Sequence, residues 1–435
     1  MNIELEIIDL DDKGRGVAKK DGIIYFVENA ILGETLLASV YKKKKSFYNA
    51  IKIETIKESP FLTEDIGEEN LCGVYELYNI DYKKQIEYKK NTIINSINRI
   101  ADEKLIDINV IEAINKNGYR NKLELKVSEE GKLTYFKRNS YDLIEINDCM
   151  MNTKEIQQLV KKIQIIITKL NIPGYNPVDN TGVLKNIIIR STSIGETMLI
   201  IVFNQEYNFE KLYKRIEDEK IADSFYVSRN NTKNNYKIKD LVHISGKDKI
   251  KEILGNHQFL ISPRAFMQVN KEVSYKIYLK AREYVEKINP NILVDLYSGI
   301  STTSIILSDL VEKVVSVEIN TDAINDAKEN ALINDINNID WINKPAEIAI
   351  DEISLNENKT MALFDPPRRG LDKNIINKIG QSNISSIVYI SCNVGTLARD
   401  IKRFKQFGFK LKEVTLFDQF VNTIESETVV LLVRD

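Results

Sequence analysis

The feature that most limits the fold is the alternation of strand-like and helix-like segments after residue 273. Apolar, β-rich runs, most of them followed by a segment of helical periodicity, lie at 292–297, 314–319, 339–342, 360–365 and 386–391. This alternation predicts an α/β fold with a doubly wound, mostly parallel sheet. The last two runs, 409–417 and 428–433, have no helix between them, so we expect them to pair antiparallel. In open sheets of this kind a ligand binds beyond the carboxyl ends of the strands.

Length and composition limit the class of function. A chain of 435 residues is expected to form two or three domains. Its formal net charge of −2 excludes a uniformly basic nucleic-acid binder, so any such binding must come from local patches. Three cysteines fit a reducing cytosol, and two histidines disfavour histidine-dependent hydrolysis. Since no long apolar run and no signal sequence is present, we expect a cytoplasmic protein without membrane contact.

The first 58 residues predict a small β-barrel of the oligonucleotide-binding type. Short strands there are separated by turns that contain Gly14, Gly16, Gly22 and Gly33. A basic run at a predicted hairpin consists of Lys42, Lys43, Lys44 and Lys45. Lysines at a hairpin tip are most often merely solvated, but on such a barrel they are also candidates for RNA contacts.

Polar residues follow several predicted strands of the C-terminal half. Glu318 ends the strand after the Asp295–Thr302 turn, where a carboxylate can accept hydrogen bonds from both ribose hydroxyls. Asp365–Arg368 contains two prolines that stiffen the chain after another strand. Cys392 ends the run 386–391. A lone cysteine at a buried strand end is usually inert packing, but its place at the ligand edge favours a nucleophile.

Taken together, these segments resemble the RNA uracil-5 methyltransferases, most closely the bacterial 23S rRNA members that begin with a TRAM domain. The resemblance covers nearly the whole chain. The segments that carry it are Asp12–Ala18 with Phe26-Val27 and Gly33-Glu34, Tyr119–Lys122, Phe259–Asn270, Asp365–Arg368, Ser391–Asn393 and Thr423-x-x-x-Glu427. It implies a TRAM β-barrel at 1–58, a central α+β RNA-binding domain at 59–265 and a class I methyltransferase domain at 266–435.

The resemblance also implies roles for individual residues. Cys392 would be the nucleophile and Glu427 the general base, with Glu425 as a rival whose spacing from Thr423 fits less well. S-adenosylmethionine would be the cofactor, and its contacts would be Gln268, Tyr297, Thr302, Glu318 and Asp365. Contacts to RNA would come from Arg120, Lys122 and the four lysines at 42–45. The protein is expected to act as a monomer on 23S rRNA.

The chain departs from the family pattern at several positions. Many members hold a [4Fe–4S] cluster through four cysteines, three in a Cys-x5-Cys-x2-Cys segment and one further on. In the corresponding segment, 66–75, only Cys72 remains, and Cys149 matches the distant ligand. Two cysteines cannot supply four thiolates, so we predict no cluster and no other metal. Ser301 in place of a preferred glycine and Pro345 at a usually polar position leave the strength of cofactor binding open.

Three other functions are considered. A tRNA uracil-5 methyltransferase would share the catalytic residues, but such enzymes generally lack the TRAM segment. An RNA-binding protein with a decayed catalytic domain is suggested by Ser301 and the missing cluster ligands. A nicotinamide-dependent dehydrogenase is disfavoured because the glycine fingerprint is absent. The sequence does not indicate which uridine is modified, or whether one or two sites are.

Overall fold

The computed structural model describes residues 1–11, 13–63, 76–136, 142–146, 149–355 and 359–434. The strands of the N-terminal half are β1 (Asn2–Glu6), β2 (Asp9–Leu10), β3 (Gly16–Lys20), β4 (Ile23–Glu28), β5 (Thr35–Lys43), β6 (Phe47–Lys57), β7 (Asn109–Ile111), β8 (Lys122–Val127), β9 (Leu133–Phe136), β10 (Leu143–Glu145), β11 (Tyr175–Asn176), β12 (Thr181–Gly182), β13 (Leu184–Ser191) and β14 (Thr197–Phe203). Those that follow are β15 (Ser224–Arg229), β16 (Asp240–Gly246), β17 (Ile250–Leu254), β18 (His257–Ile261), β19 (Ile292–Leu296), β20 (Lys313–Val317), β21 (Ile339–Ile342), β22 (Thr360–Phe364), β23 (Ser386–Ser391), β24 (Lys410–Phe417) and β25 (Glu427–Val433). The helices are α1 (Tyr82–Ala101), α2 (Lys154–Lys169), α3 (Glu210–Asp218), α4 (Lys271–Ile288), α5 (Thr302–Leu307), α6 (Thr321–Ile333), α7 (Ala346–Ala349), α8 (Lys373–Gln381) and α9 (Val394–Lys405).

The N-terminal strands form a six-stranded sheet in the order β1-β5-β6-β4-β3-β2. Alternate residues of its strands, such as Tyr25 and Val27 of β4 and Leu36 and Ala38 of β5, are buried in one apolar cluster. Because side chains alternate between the two faces of a strand, the other face remains partly open to solvent. This sheet is compatible with the predicted barrel, and its assignment as a TRAM domain remains a prediction.

A second sheet of seven strands has the order β10-β9-β8-β13-β14-β15-β16. The sequence predicts a hairpin within Gly118–Phe136, turning at Glu129–Gly131, and a helix over Lys154–Leu170. Both are confirmed, as the β8–β9 pair and as α2. Six apolar residues of α2, among them Ile156 and Ile163, recur at helical spacing and pack into one cluster with α3 and the sheet. Every residue of β13, in the middle of this sheet, is buried.

The third sheet has the order β21-β20-β19-β22-β23-β25-β24-β7. Strands β19, β20, β21, β22 and β23 are parallel to one another, and β25 runs antiparallel to both β23 and β24. The predicted doubly wound α/β fold is therefore confirmed, including the antiparallel final pair. No helix in the described part of the chain combines the length and the apolar character needed to cross a membrane.

Two elements from the first third of the chain join this third sheet. β7 pairs in parallel with β24, and α1 packs against α9 with Ile93 and Ile97 in the apolar cluster on that face. The sequence analysis placed both within the central region at 59–265. The three predicted domain ranges remain predictions, but residues 82–111 share their core with the C-terminal sheet.

Candidate active site

The turn between β19 and α5 contains three residues in the left-handed backbone region. Tyr297 has a φ of 69°, and Gly299 and Ser301 both have a φ of 57°. Glycine adopts this conformation freely, whereas other residues lose roughly 1–2 kcal/mol. The Ser301 hydroxyl lies 2.8 Å from the Ser316 hydroxyl and donates to that of Ser298 at 3.2 Å, which offsets part of the cost. The turn brings its backbone to the carboxyl edge of the sheet.

Glu318 lies beside this turn, just after β20. Its Oε2 accepts a hydrogen bond from the Gly299 amide at 3.0 Å, and its Oε1 accepts one from the Asn320 amide at 2.8 Å. These bonds fix the carboxylate at the edge of the sheet. On the other side of the turn, the Tyr297 hydroxyl donates to Glu347 Oε1 at 3.1 Å, and burial raises the pKa of Tyr297. The tyrosine therefore stays a neutral donor.

Two carboxyl groups lie deeper in the site. Asp365 follows β22, and Pro366 and Pro367 restrict the chain after it. Burial raises the pKa of Asp365 to about 7, although a hydrogen bond from the Gln268 side chain favours the carboxylate. Burial likewise raises the pKa of Asp295, on the adjacent β19, to about 7, although its Oδ2 accepts a hydrogen bond from a neighbouring serine hydroxyl.

Cys392 follows β23 and is a free, partly buried thiol. Burial and the nearby Glu427 carboxyl raise its pKa to about 11, whereas the Arg368 guanidinium acts in the opposite direction. Arg368 lies close enough to Cys392 to influence it electrostatically and forms an ion pair with Glu425. Without a ligand the sulfur is therefore protonated at neutral pH. The thiolate is the nucleophilic form of a cysteine side chain.

Glu427 is the first residue of β25, and only 2% of its surface is exposed. Because β25 runs antiparallel to β23, the start of one strand lies beside the end of the other, and Ser391 pairs with Thr428. Burial and the carboxyl groups of Asp365 and Glu425 raise the pKa of Glu427 well above its usual value. Glu427 therefore binds a proton more readily than an exposed glutamate does.

A cavity of about 540 Å³ opens at this edge of the sheet, within the range of roughly 300–1,000 Å³ typical of small-molecule sites. Its wall contains all seven residues that the sequence analysis proposed for catalysis or cofactor binding: Gln268, Tyr297, Thr302, Glu318, Asp365, Cys392 and Glu427. The structure thus brings these residues together, and their individual roles remain predictions.

The cavity wall is rich in carboxyl groups. The acidic lining residues are Asp295, Glu318, Glu347, Asp365 and Glu427. Among the described lining residues the cations are Arg368 and Arg369, and each is paired, with Glu425 and Glu347 respectively. A nearby positive charge stabilises the ionised form of a carboxyl group. The effect matters most for groups whose pKa is raised by burial, because that charge lets them ionise. This set of side chains fits a positively charged small molecule.

Comparison with known proteins assigns the chain to a family. A sequence model described as tRNA (uracil-5-)-methyltransferase matches residues 81–435. The chain belongs to this family. Among its relatives, uncharacterized RNA methyltransferases of Clostridium acetobutylicum and Enterococcus faecalis are 31% and 32% identical to it. Those alignments cover 99% of this chain and 96% and 97% of the relatives. The prediction of an RNA methyltransferase is therefore confirmed.

A solved structure with the same fold is that of a Pyrococcus abyssi tRNA (uracil-54, C5)-methyltransferase in complex with S-adenosyl-L-homocysteine. The two chains are 24% identical, with a TM-score of 0.81 over 99% of this chain and 100% of the other. At this identity the similarity shows that the family fold extends over the whole chain, including the N-terminal sheet.

The sequence analysis missed several residues of the site. Phe266, which is 64% exposed, Tyr278 and Phe420 all line the cavity. Phe266 lies within the Phe259–Asn270 segment and Phe420 lies three residues before Thr423, so proximity in sequence to Gln268 and to Glu427 could have identified them. Tyr278 and Glu347 had no such signal, because each reaches the cavity from a helix whose inward face depends on packing.

The predicted RNA contacts lie in two places. Lys42 to Lys45 are all exposed on the β5–β6 hairpin, and the ammonium groups of Lys43 and Lys44 lie 5.3 and 5.7 Å from the ring centroids of Tyr48 and Phe47. An isolated β-bridge joins the backbone of Arg120 to that of Asn270, two residues beyond the cavity residue Gln268. Lys122 forms an ion pair with Glu124. No described residues form a group of three or more potential metal ligands. Cys72 lies outside the described residues, so the predicted absence of an iron–sulfur cluster remains a prediction.

Proposed function

We propose that this protein uses S-adenosylmethionine to methylate C5 of a uridine in RNA, through a covalent bond between Cys392 and C6 of the base. The observation that carries this proposal is the placement of a free thiol and a buried carboxyl group at adjacent strand ends in one cavity. C5 of uracil is too weak a nucleophile to take a methyl group unaided. Addition of a thiolate to C6 converts the ring into an enolate whose negative charge reaches C5.

The residues of the cavity fit the steps that this chemistry requires. Arg368 lies near the Cys392 sulfur, and its positive charge favours the thiolate that must form. After C5 has gained the methyl group, its hydrogen must leave as a proton, and Glu427 is the proposed acceptor. Loss of that proton restores the double bond and expels Cys392. Glu425 is paired with Arg368 at the surface. It would partly offset the positive charge of the guanidinium rather than act as the general base.

Cofactor binding is proposed for other residues of the same cavity. When bound, S-adenosylmethionine supplies a methyl group on a positively charged sulfur. Glu318 would accept hydrogen bonds from the ribose hydroxyls, and Gln268, Tyr297, Thr302 and Asp365 would provide the remaining contacts. The excess of carboxyl groups around Asp365 supports this proposal, since a positive charge there is favourable.

The target base must leave its stack to reach Cys392. Phe266 offers an exposed aromatic face at the cavity, on which an extruded base could stack. Arg369, the Arg120 region and the lysines at 42–45 are proposed to contact phosphates of the surrounding RNA. Such contacts would give an affinity that falls as the salt concentration rises.

We propose 23S rRNA as the substrate, with tRNA as a second candidate. The rRNA proposal came from the resemblance of the N-terminal segment to TRAM-containing rRNA enzymes. That segment does not separate the two, because the Pyrococcus abyssi enzyme, described as acting on tRNA, matches 99% of this chain. The family description, which names tRNA, favours the second candidate.

Both candidates can be tested with labelled S-adenosylmethionine and purified rRNA or tRNA from a strain that lacks the gene. Label in 5-methyluridine of 23S rRNA would support the first candidate, and label in tRNA the second. The Cys392→Ala variant should transfer no label while binding RNA with unchanged affinity. If Cys392→Ala still methylates RNA, the covalent mechanism is wrong.

A further inference from the structure

The loop between β24 and β25 carries two groups of the proposed reaction. It extends over residues 418–426, contributes Phe420 to the cavity wall and continues directly into Glu427. The position of the loop therefore decides where Glu427, the proposed general base, lies relative to Cys392. The side chains of Tyr82, Gln85 and Lys89 on α1 contact this loop, although none of them lines the cavity.

Lys89 holds the start of the loop through two contacts. Its Nζ donates to Asp418 Oδ1 at 2.5 Å and to the Phe420 carbonyl oxygen at 2.8 Å. The Tyr82 hydroxyl donates to the other oxygen of Asp418 at 2.8 Å. Lys89 is 1% exposed and Asp418 is fully buried. Both oxygens of the carboxylate and the backbone next to the cavity are thus held by direct contacts with side chains of α1.

Gln85 holds the middle of the same loop, one turn earlier on α1. Its Nε2 donates to Asn422 Oδ1 at 3.0 Å, and the Asn422 amide donates to Gln85 Oε1 at 3.1 Å. Nε2 also lies 2.9 Å from the carbonyl oxygens of Leu77 and Ile80. Residues three and four apart share one face of a helix, so a single face of α1 contacts both parts of the loop.

A buried ion pair adds little to stability, because removing both charges from water costs about as much as their attraction returns. Such a pair does fix geometry, since its partners have one low-energy arrangement. We infer that Lys89, assisted by Gln85, is a positioning residue. It holds Phe420 and Glu427 in place against the uracil ring that is bonded to Cys392. This inference depends on the proposed function, in which Glu427 removes the C5 proton.

The test compares Lys89→Met and the double variant Lys89→Met/Asp418→Asn with wild-type protein. Lys89→Met alone leaves a buried carboxylate unpaired and is expected to lower stability, whereas the double variant removes both charges. Lys405→Met is the matched control. The Lys405 Nζ donates to the carbonyl oxygens of Ala101 and Asp102, at the opposite end of α1.

Two quantities are measured: the single-turnover rate of product release, and the amount of RNA–protein adduct that survives denaturation. In the double variant the melting temperature should stay within about 5 °C of wild type. Product release should slow by about tenfold to a hundredfold, because displacement of the Glu427 carboxylate by about 1 Å lowers the rate of proton removal by that factor. Adduct should accumulate, as it should in Glu427→Gln. Lys405→Met should give wild-type rates and no accumulation.

The inference is overturned if the double variant releases product at the wild-type rate. It is also overturned if the variant forms less adduct and less product in parallel, because that pattern indicates a general loss of structure. Glu427→Gln in the same assay separates the two proposals. If Glu427→Gln accumulates adduct and the double variant does not, only the role of Lys89 is wrong. If wild-type protein does not methylate uridine, the proposed function fails and the inference with it.

Discussion

Cys392 and Glu427 flank the last registered pair of two antiparallel strands, Ser391 opposite Thr428. Cys392 directly follows β23 and Glu427 begins β25, so the two side chains emerge at the same edge of the sheet. In an all-parallel sheet the beginning of a strand would lie at the opposite edge. The antiparallel final strand therefore brings the proposed nucleophile and the proposed general base together although 34 residues separate them along the chain.

Exchange of Glu427 for glutamine should trap the covalent intermediate. Glutamine keeps the shape of the side chain but cannot accept the C5 proton, so RNA should remain bonded to Cys392 after denaturation. Glu425→Gln is the matched control, since Glu425 lies beside Glu427 but is paired with Arg368 at the surface. We expect Glu425→Gln to turn over. Adduct accumulating in Glu425→Gln instead would assign the base to Glu425.

Cofactor affinity should increase as the pH rises through about 7. The raised pKa of Asp365, about 7, leaves this group largely neutral below that pH and ionised above it. S-adenosylmethionine should therefore bind about threefold to tenfold more tightly at pH 8 than at pH 6, whereas S-adenosyl-L-homocysteine, with a neutral sulfur, should change less. Calorimetric titration measures both ligands. Equal pH dependence for the two would show that carboxyl ionisation and the sulfonium charge are not coupled.

The same carboxyl groups should affect the stability of the ligand-free protein. Asp295 and Asp365 have a pKa of about 7 when folded, against a usual value of 3.8. Between these values the folded state binds more protons than the unfolded state, so the free energy of unfolding should fall as the pH rises from about 4 to 7. Thermal unfolding across this range provides the measurement. Asp295→Asn should flatten the dependence, and an unchanged slope in that variant would contradict the assignment.

The Cys392 thiol should react slowly with iodoacetamide at neutral pH when no ligand is bound. Its pKa of about 11 leaves little thiolate, and removal of the Arg368 charge should raise that pKa further. Arg368→Met should therefore shift the pH profile of alkylation towards higher pH. Peptide mapping of the labelled residue, with Cys392→Ala as the blank, isolates this thiol. Faster alkylation in Arg368→Met at equal pH would contradict the role of the guanidinium.

Ser301 should tolerate glycine but not valine. Glycine relieves the left-handed backbone strain and loses the hydroxyl contacts, each worth about 1 kcal/mol, so the free energy of unfolding should change by less than about 1 kcal/mol. Valine keeps the strain and adds a branched side chain at a fully buried position, at a cost of about 1–3 kcal/mol. Denaturant unfolding compares the two. Equal stability of the glycine and valine variants would mean that the turn does not require this backbone conformation.

Much of the C-terminal half could be predicted from local pattern. The predicted runs 339–342 and 386–391 coincide with β21 and β23, and the expected antiparallel final pair is present. The sequence pattern predicts a helix over Thr302–Leu310, whereas α5 ends at Leu307 because the chain tightens into a 3-10 turn at Ser308–Leu310. Glu318, Asp365 and Cys392 could be selected from the sequence because they follow predicted strands, whereas Gln268, Tyr297, Thr302 and the role of Glu427 came from the family resemblance.

The sequence by itself determined which segments become strands and helices and which polar residues lie at strand ends, since periodicity and turn residues act over a few neighbours. Only the tertiary structure decided that α1 and β7 return to the C-terminal sheet and that Lys89 pairs with Asp418, 329 residues away. It also decided the raised pKa values, because these follow from removal of water by distant segments. Long-range pairing depends on the total surface that is buried, which no local pattern records.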